Sequence, residues 1–226
     1  ITEGTREYYQ KKYRRNREKN SAILPSAADL ARFGQEFSAE EIENLRTKLG
    51  IGENEVVVGY IGNMSWAREL PEFLEANATE ILENSVKFLW VGDGDSIEAM
   101  RAVAEQHGFG EKLIFVGKLP QVELVKFLQV MDRGLCHLPD IFVYRNSFPL
   151  KVVEYLAAGR PVLASEIKAH REIQKSFPTG IKIYQKKLPR AELGKTTKQK
   201  FAGMEKFSME FLAEEYLKIY LREGRK

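Results

Sequence analysis

From Val56 to Tyr184 the chain alternates short apolar runs with amphipathic stretches, and few folds accept that alternation. The runs are VVVGYIG (56–62), VKFLWVG (86–92), KLIFVG (112–117), RGLCHLP (133–139), RPVLAS (160–165) and GIKIY (180–184). Between them lie apolar residues at helical spacing: Leu70, Phe73 and Leu74; Ile97, Met100, Val103 and Ala104; Leu124, Phe127, Leu128 and Met131. Strands alternating with helices of this length predict a parallel sheet with helices on both faces. The strands read as continuous apolar runs rather than alternating ones, as expected when both faces are covered. The predicted class is therefore α/β, a doubly wound, Rossmann-like parallel sheet.

Other pieces flank this core. Residues 1–20 predict a basic amphipathic helix, and SAILPSAADLARF (21–33) reads as a short strand followed by a turn. A helix follows with a capping box of Ser38 and Glu41, a hydrophobic staple of Phe37 and Ile42, and Gly50 as its stop. Residues 185–200 are basic and poor in apolar groups, which predicts a loop. A closing helix begins around Ser208, with Phe207 and Leu212 as a staple and Phe211, Leu212, Tyr216, Ile219 and Tyr220 on one face. The expected division is a connection with an N-terminal helix (1–33), a Rossmann-like domain (34–206) and a closing helix (207–226).

Composition narrows the function classes. Apolar residues make up 43% of the 226, enough for a real core. Lys and Arg total 35 against 32 Asp and Glu, a balance that argues against nucleic acid as a partner. The basic stretches 11–19 and 182–200 read most simply as solvated surface, with membrane-surface contact as the minority reading. The single cysteine, Cys136, excludes an internal disulfide framework, fits a reducing and hence cytoplasmic setting, and in the run GLCHLP is expected to be buried and inert. None of His107, His137 and His170 sits at metal-ligand spacing with it, so no metal and no cofactor is expected. The chain begins at Ile1 with no signal sequence, and is expected to be an excised piece of something longer.

A doubly wound sheet binds ligands at the carboxyl ends of its strands. The loop after the first strand, GYIGNMSWARELPEF, offers Gly59 and Gly62 for close backbone approach, with Asn63 and Arg68 as polar groups. After the second, WVGDGD has Gly92 and Gly94 suited to positive φ, Asp93 suited to a turn, and Asp95 or Ser96 as the next helix cap. After the third, FVGKLP places Gly117, Lys118 and Leu119 at a tight bend where backbone groups can meet a base edge. The most informative stretch is SFPLKVVEYLAAGRPVLAS (147–165). Pro149 suits a first helical turn with Ser147 or Phe148 as its cap, and such a helix start is an anion site. Lys151 adds a positive charge there, and Glu154 lies three residues on, on the same face. Two readings stand: the two side chains pair with each other on a solvated face, or they hold a phosphate and a ribose. The apolar flanks Val152, Val153, Tyr155 and Leu156 favour a buried helix, where a charged pair calls for a partner.

SFPLKVVEYLAAGRPVLAS is similar to the signature of the group 1, retaining GT-B glycosyltransferases. ILPSAADLARF resembles that family's interdomain connection, with Asp29 and Phe33 at its end; GYIGNMSWARELPEFLEA, FLWVGDGD and IFVGKLP follow in the family's order; MEKFSMEFLAEEYLKIY resembles its closing helix. The resemblance implies the C-terminal half of a GT-B fold, binding a nucleoside-diphosphate sugar as glycosyl donor. It implies that Glu154 holds ribose hydroxyls, that Ser147, Phe148, Pro149, Leu150 and Lys151 face the diphosphate or sugar, and that Gly117–Leu119 flanks the base. Of the two cations the family often carries after the first strand, Arg68 matches one, while Asn63 stands in place of the other. Asn146 stands where many members have a second acid that touches the sugar. The acceptor, whether glycan, lipid or small molecule, belongs to an N-terminal half that this chain lacks, so the fragment alone is expected to bind the donor without completing transfer. A nucleotide-sugar epimerase and a non-catalytic doubly wound interaction domain are the alternatives. A dinucleotide oxidoreductase is disfavoured because no G-x-G-x-x-G follows the first strand.

Overall fold

The computed structural model describes residues 2–13 and 23–223. Its centre is a parallel sheet of β1 (Val56–Asn63), β2 (Val86–Asp93), β3 (Leu113–Gly117), β4 (Arg133–Cys136), β5 (Val162–Ser165) and β6 (Ile181–Tyr184). Their order is β3-β2-β1-β4-β5-β6, so the chain starts in the middle, winds outward one way, and returns to wind the other. The strand order reverses between β1 and β4, where a crevice opens beyond the strand ends.

Period-two alternation along β1 assigns each face its helices. Val57 and Ile61 face one layer, built on α3 (Ala39–Lys48), α7 (Gln121–Val130) and α9 (Leu150–Ala157). Val56, Val58 and Tyr60 face the other, built on α4 (Leu70–Ala76), α5 (Ala78–Glu83) and α6 (Ile97–Gln106). The doubly wound expectation is therefore met. Close helix–sheet approach depends on Gly134 in β4: a Cβ there would overlap the Tyr155 ring of α9. That ring carries its hydroxyl across the switch point, where it accepts from the Ile61 N–H at 2.8 Å and donates to the Leu135 carbonyl at 3.3 Å. One side chain thus ties the ends of β1 and β4 together in the buried layer.

Outside the sheet, the capping box of α3 forms as expected, with the Ser38 hydroxyl accepting from the Glu41 N–H and the Glu41 carboxylate accepting from the Ser38 N–H. Three local expectations are corrected. Residues 23–33 form no strand: Ala28 makes an isolated parallel bridge to Ser208, and Asp29 caps the short helix α2 (Leu30–Phe33). Ser96 is the cap residue of α6, one of the two expected, but it makes no side-chain cap bond; its hydroxyl donates to the Met64 carbonyl at 2.6 Å, and the Asp95 carboxylate accepts from the Trp66 N–H at 3.0 Å. Gly94 does not need positive φ; it is required because a Cβ would overlap the Met64 backbone. The closing helix forms as α11 (Met209–Glu223); on its apolar face Phe211, Leu212 and Ile219 are half-buried, while Tyr216 and Tyr220 are 58% and 77% exposed.

The expected N-terminal helix appears as α1 (Glu3–Tyr13); residues 14–20 of that expectation lie outside the described residues. Helix α10 (Lys168–Gln174) and the short α8 (Phe142–Arg145) complete the fold. No described helix is long and apolar enough to cross a membrane.

Candidate functional site

Two adjoining cavities occupy the switch-point crevice. The first, of about 300 Å³, lies between the ends of β1 and β4 and is lined by Tyr60–Asn63, Arg68, Leu135–Leu138, Tyr144 and Ser147–Lys151. The second, of about 460 Å³, lies on the β2–β3 side and is lined by Val91–Gly94, Lys118, Leu119 and Leu124. Ile61, Gly62, Asn63 and Lys151 line both. The crevice is therefore one trough with a shared middle.

Glycine makes that middle possible. Gly92 has φ +135°, and a Cβ on it would overlap the Gly62 carbonyl oxygen, so β1 and β2 can end side by side only without a side chain there. Gly117, at φ +82°, turns the chain at the end of β3 and aims Lys118 and Leu119 into the second cavity.

The charged groups differ in how they are occupied. Lys118 lies 3.3 Å from Asp93, and both are largely exposed. The Gly94 N–H, and next the Lys118 ammonium, hold the Asp93 carboxyl below its ordinary pKa. Lys151 lies 2.7 Å from Glu154, which is buried at 8% exposure, while the lysine side chain keeps 42% of its surface open. The first of the two sequence readings is thus present in the unliganded chain, but on a buried carboxylate rather than a solvated face. Arg68 is different again: its guanidinium carbon sits 4.7 Å above the Tyr144 ring, and among the described residues it pairs with no carboxylate.

The start of α9 departs from its expected form. The helix begins at Leu150, Pro149 is its cap residue, and neither Ser147 nor Phe148 caps it by a side chain. The Ser147 hydroxyl instead donates to the Tyr144 carbonyl at 3.1 Å. Ser147, Phe148, Pro149 and Leu150 still line the first cavity. Of the other expected site residues, Gly62, Asn63 and Gly92 line the trough, whereas Gly117 and Glu154 line neither cavity; Glu154 meets the trough only through its 2.7 Å pair with Lys151. Asn146 lines neither cavity. Its side-chain amide donates to the Phe142 carbonyl at 2.8 Å, and its backbone carbonyl accepts from the hydroxyls of Thr2, just before α1, and Thr5, within it.

Sequence reasoning missed the wall behind Cys136. His170, 34 residues away, lies 3.3 Å from the Cys136 sulfur through Nε2. Its Nδ1 sits 2.8 Å from the Ser165 carbonyl, which can only accept, so Nδ1 carries the proton and Nε2 receives the thiol. Burial pushes the thiol up to about 12 and the imidazole down to about 4, so both are neutral. His137, held at 2.7 Å from the Tyr184 hydroxyl, is lowered by burial, and next by His170, to about 4. No spacing rule links residues 136 and 170; only the fold brings them together.

A parallel sheet in the order 3-2-1-4-5-6, with a trough at its switch point, defines the class of doubly wound, Rossmann-like α/β domains. The family profile of the glycosyl transferases group 1 matches residues 41–191, and the chain belongs to that family. Among curated relatives it is similar to an uncharacterized glycosyltransferase of Methanocaldococcus jannaschii, 25% identical over 154 residues covering 68% of this chain and 38% of the relative. It is also similar to the alpha-monoglucosyldiacylglycerol synthase of Streptococcus pneumoniae, 26% identical over 147 residues covering 63% and 32% of the two chains. The chain therefore spans about a third of the length of these relatives. Among solved structures it resembles a glycosyltransferase from Rickettsia africae, with TM-score 0.77 at 14% identity, covering 97% of this chain and 61% of that one. It also resembles the Anabaena protein HepE in complex with UDP-glucose, with TM-score 0.68 at 15% identity, covering 91% and 57%. These likenesses identify the chain as the C-terminal half of a GT-B fold.

Proposed function

We propose that the trough binds a nucleoside-diphosphate sugar, the glycosyl donor for transfer to an acceptor held by the rest of the enzyme. The observation that carries this reading is the state of its cations. Arg68 faces the first cavity without a carboxylate partner among the described residues, and Lys151, though paired with Glu154, lines both cavities with 42% of its side chain exposed. An unpaired guanidinium in a concave site calls for an anion, and its fork suits phosphate oxygens. The diphosphate then lies at the shared middle, with the base toward Lys118 and Leu119 and the sugar in the cavity lined by Ser147–Leu150. Glu154 accepts from the ribose hydroxyls beside Lys151. As the glycosidic bond breaks, the leaving diphosphate gains negative charge, and Arg68 and Lys151 stabilise it.

The Anabaena structures hold UDP, UDP with glucose, and UDP-glucose, which supports uridine as the base to try first. Calorimetric titration with UDP, GDP and ADP tests the reading; one nucleotide is expected to bind and to raise the melting temperature. Binding of none would count against it. The chain alone is proposed not to complete transfer, and turnover of a donor onto any acceptor by the 226-residue chain would refute that part.

A further inference from the structure

We propose that Tyr144 is a positioning residue, whose ring holds the Arg68 guanidinium over the first cavity so that it meets phosphate already in place. The inference rests on the reading of the trough as a diphosphate site, and adds to it a lining residue that acts through Arg68.

Arg68 ends a 3₁₀ turn (Trp66–Arg68) and is followed by Glu69 at φ 53°, the single non-glycine residue with positive φ among those described. Its backbone is thus set, but its side chain has several free rotors and no carboxylate to fix them. Ordering such a side chain on ligand arrival costs rotamer entropy. The Tyr144 ring, 4.7 Å away, supplies the missing restraint, since a guanidinium is attracted to an aromatic face.

Tyr144 can serve because it is itself held. Its ring packs against Leu138, Ile167 and Ala169. Its carbonyl accepts from Ser147, and the turn of α8 is closed by Arg145 gripping Asp140 through two contacts of 2.6 and 2.9 Å. Arg68 comes from the loop after β1 and Tyr144 from the segment after β4, so the stack spans the two banks of the switch point. The ring, not its hydroxyl, does the holding.

The test uses the 226-residue chain and titrates UDP and uridine into the wild type, Tyr144→Phe, Tyr144→Leu, Arg68→Ala and the double variant Arg68→Ala/Tyr144→Leu. Tyr144→Leu is expected to weaken UDP about three- to tenfold and leave uridine within about twofold. Tyr144→Phe keeps UDP within about twofold, and Tyr144→Leu adds no further loss when Arg68 is already alanine. An equal loss for uridine, additive losses in the double variant, or unchanged UDP affinity in a folded Tyr144→Leu would each overturn the proposal. A second measurement needs neither ligand nor leucine: the Arg68 Nε–H resonance should be displaced by the ring current in the wild type and in Tyr144→Phe, and an undisplaced resonance overturns the stack. UDP binding that depends on Arg68 but not on Tyr144 defeats this inference alone. Failure of the wild type to bind any of UDP, GDP and ADP defeats the donor reading, and this inference with it; if GDP or ADP binds in place of UDP, the same variants are titrated with that nucleotide and its nucleoside, with the same outcomes expected.

Discussion

The two halves of the trough carry similar charges and use them differently. On the β2–β3 side, Lys118 and Asp93 lie 3.3 Å apart with 79% and 55% of their side chains exposed. Such a pair is screened by water and salt, and contributes little. On the β1–β4 side, Lys151 meets a carboxylate with only 10% of its side chain exposed, and Arg68 meets only a ring. Charge is therefore concentrated where it is least satisfied internally, at the end of the trough where the fold also places the start of α9. A count of basic residues in the loops treats Lys118, Arg68 and Lys151 as equivalent; their partners show that they are not.

The contrast can be broken most severely at the join of the two halves. Gly92→Ala forces a Cβ into the Gly62 carbonyl at a backbone angle that alanine avoids, and should cost about 3 kcal/mol or more in urea denaturation. If the variant is as stable as the parent, the account of the middle is wrong.

Acid separates the halves next. The wall of the first cavity includes His137 and rests on His170, both lowered to about 4. A base whose folded pKa lies below its unfolded value of about 6.5 leaves the unfolded chain binding more protons between those values. Stability from these groups is therefore whole above about pH 6.5 and falls as the pH drops toward 4. For His170, which has no exposed surface, the loss approaches roughly 3 kcal/mol at the acid limit. Denaturant midpoints at pH 7 and pH 5 should show this fall, and a flat profile would contradict the burial of these imidazoles.

Ligand affinity sharpens the comparison further. Arg68→Ala should weaken UDP by roughly 10- to 100-fold, the loss of a charge-assisted contact, mainly at low salt. Lys118→Ala, which removes a cation already engaged by Asp93, should change UDP affinity by only about twofold. Parallel calorimetry on the two variants decides the point; equal losses would mean that the exposed pair opens to meet phosphate.

Much of the frame was legible because it is local. Six apolar runs gave six strands, and the capping box of Ser38 and Glu41 formed where its spacing requires. The signature from Ser147 to Ser165 placed Lys151 and Glu154 correctly on one helix face. What stayed hidden depends on contacts between distant segments. Asn146 carries contacts that its spacing does not announce: its backbone carbonyl accepts from Thr2 and Thr5, some 140 positions earlier, while its side-chain amide donates to the Phe142 carbonyl. The Cys136–His170 contact and the Arg68–Tyr144 stack join residues with no shared period. Residues 23–33 form no strand, because the chain there follows the end of the fold, with the Ala28 N–H donating to the Phe207 carbonyl at 2.9 Å. The aromatic face of α11 has the right period for a helix, yet period alone does not say what covers it.

The most direct test of the central claim is calorimetry of UDP against the 226-residue chain and its Glu154→Ala variant, whose carboxylate is buried beside Lys151. The account predicts saturable binding by the parent and at least about tenfold weaker binding by a folded variant, since a buried carboxylate that accepts ribose hydroxyls is lost. Equal affinity of the two proteins for UDP would contradict it.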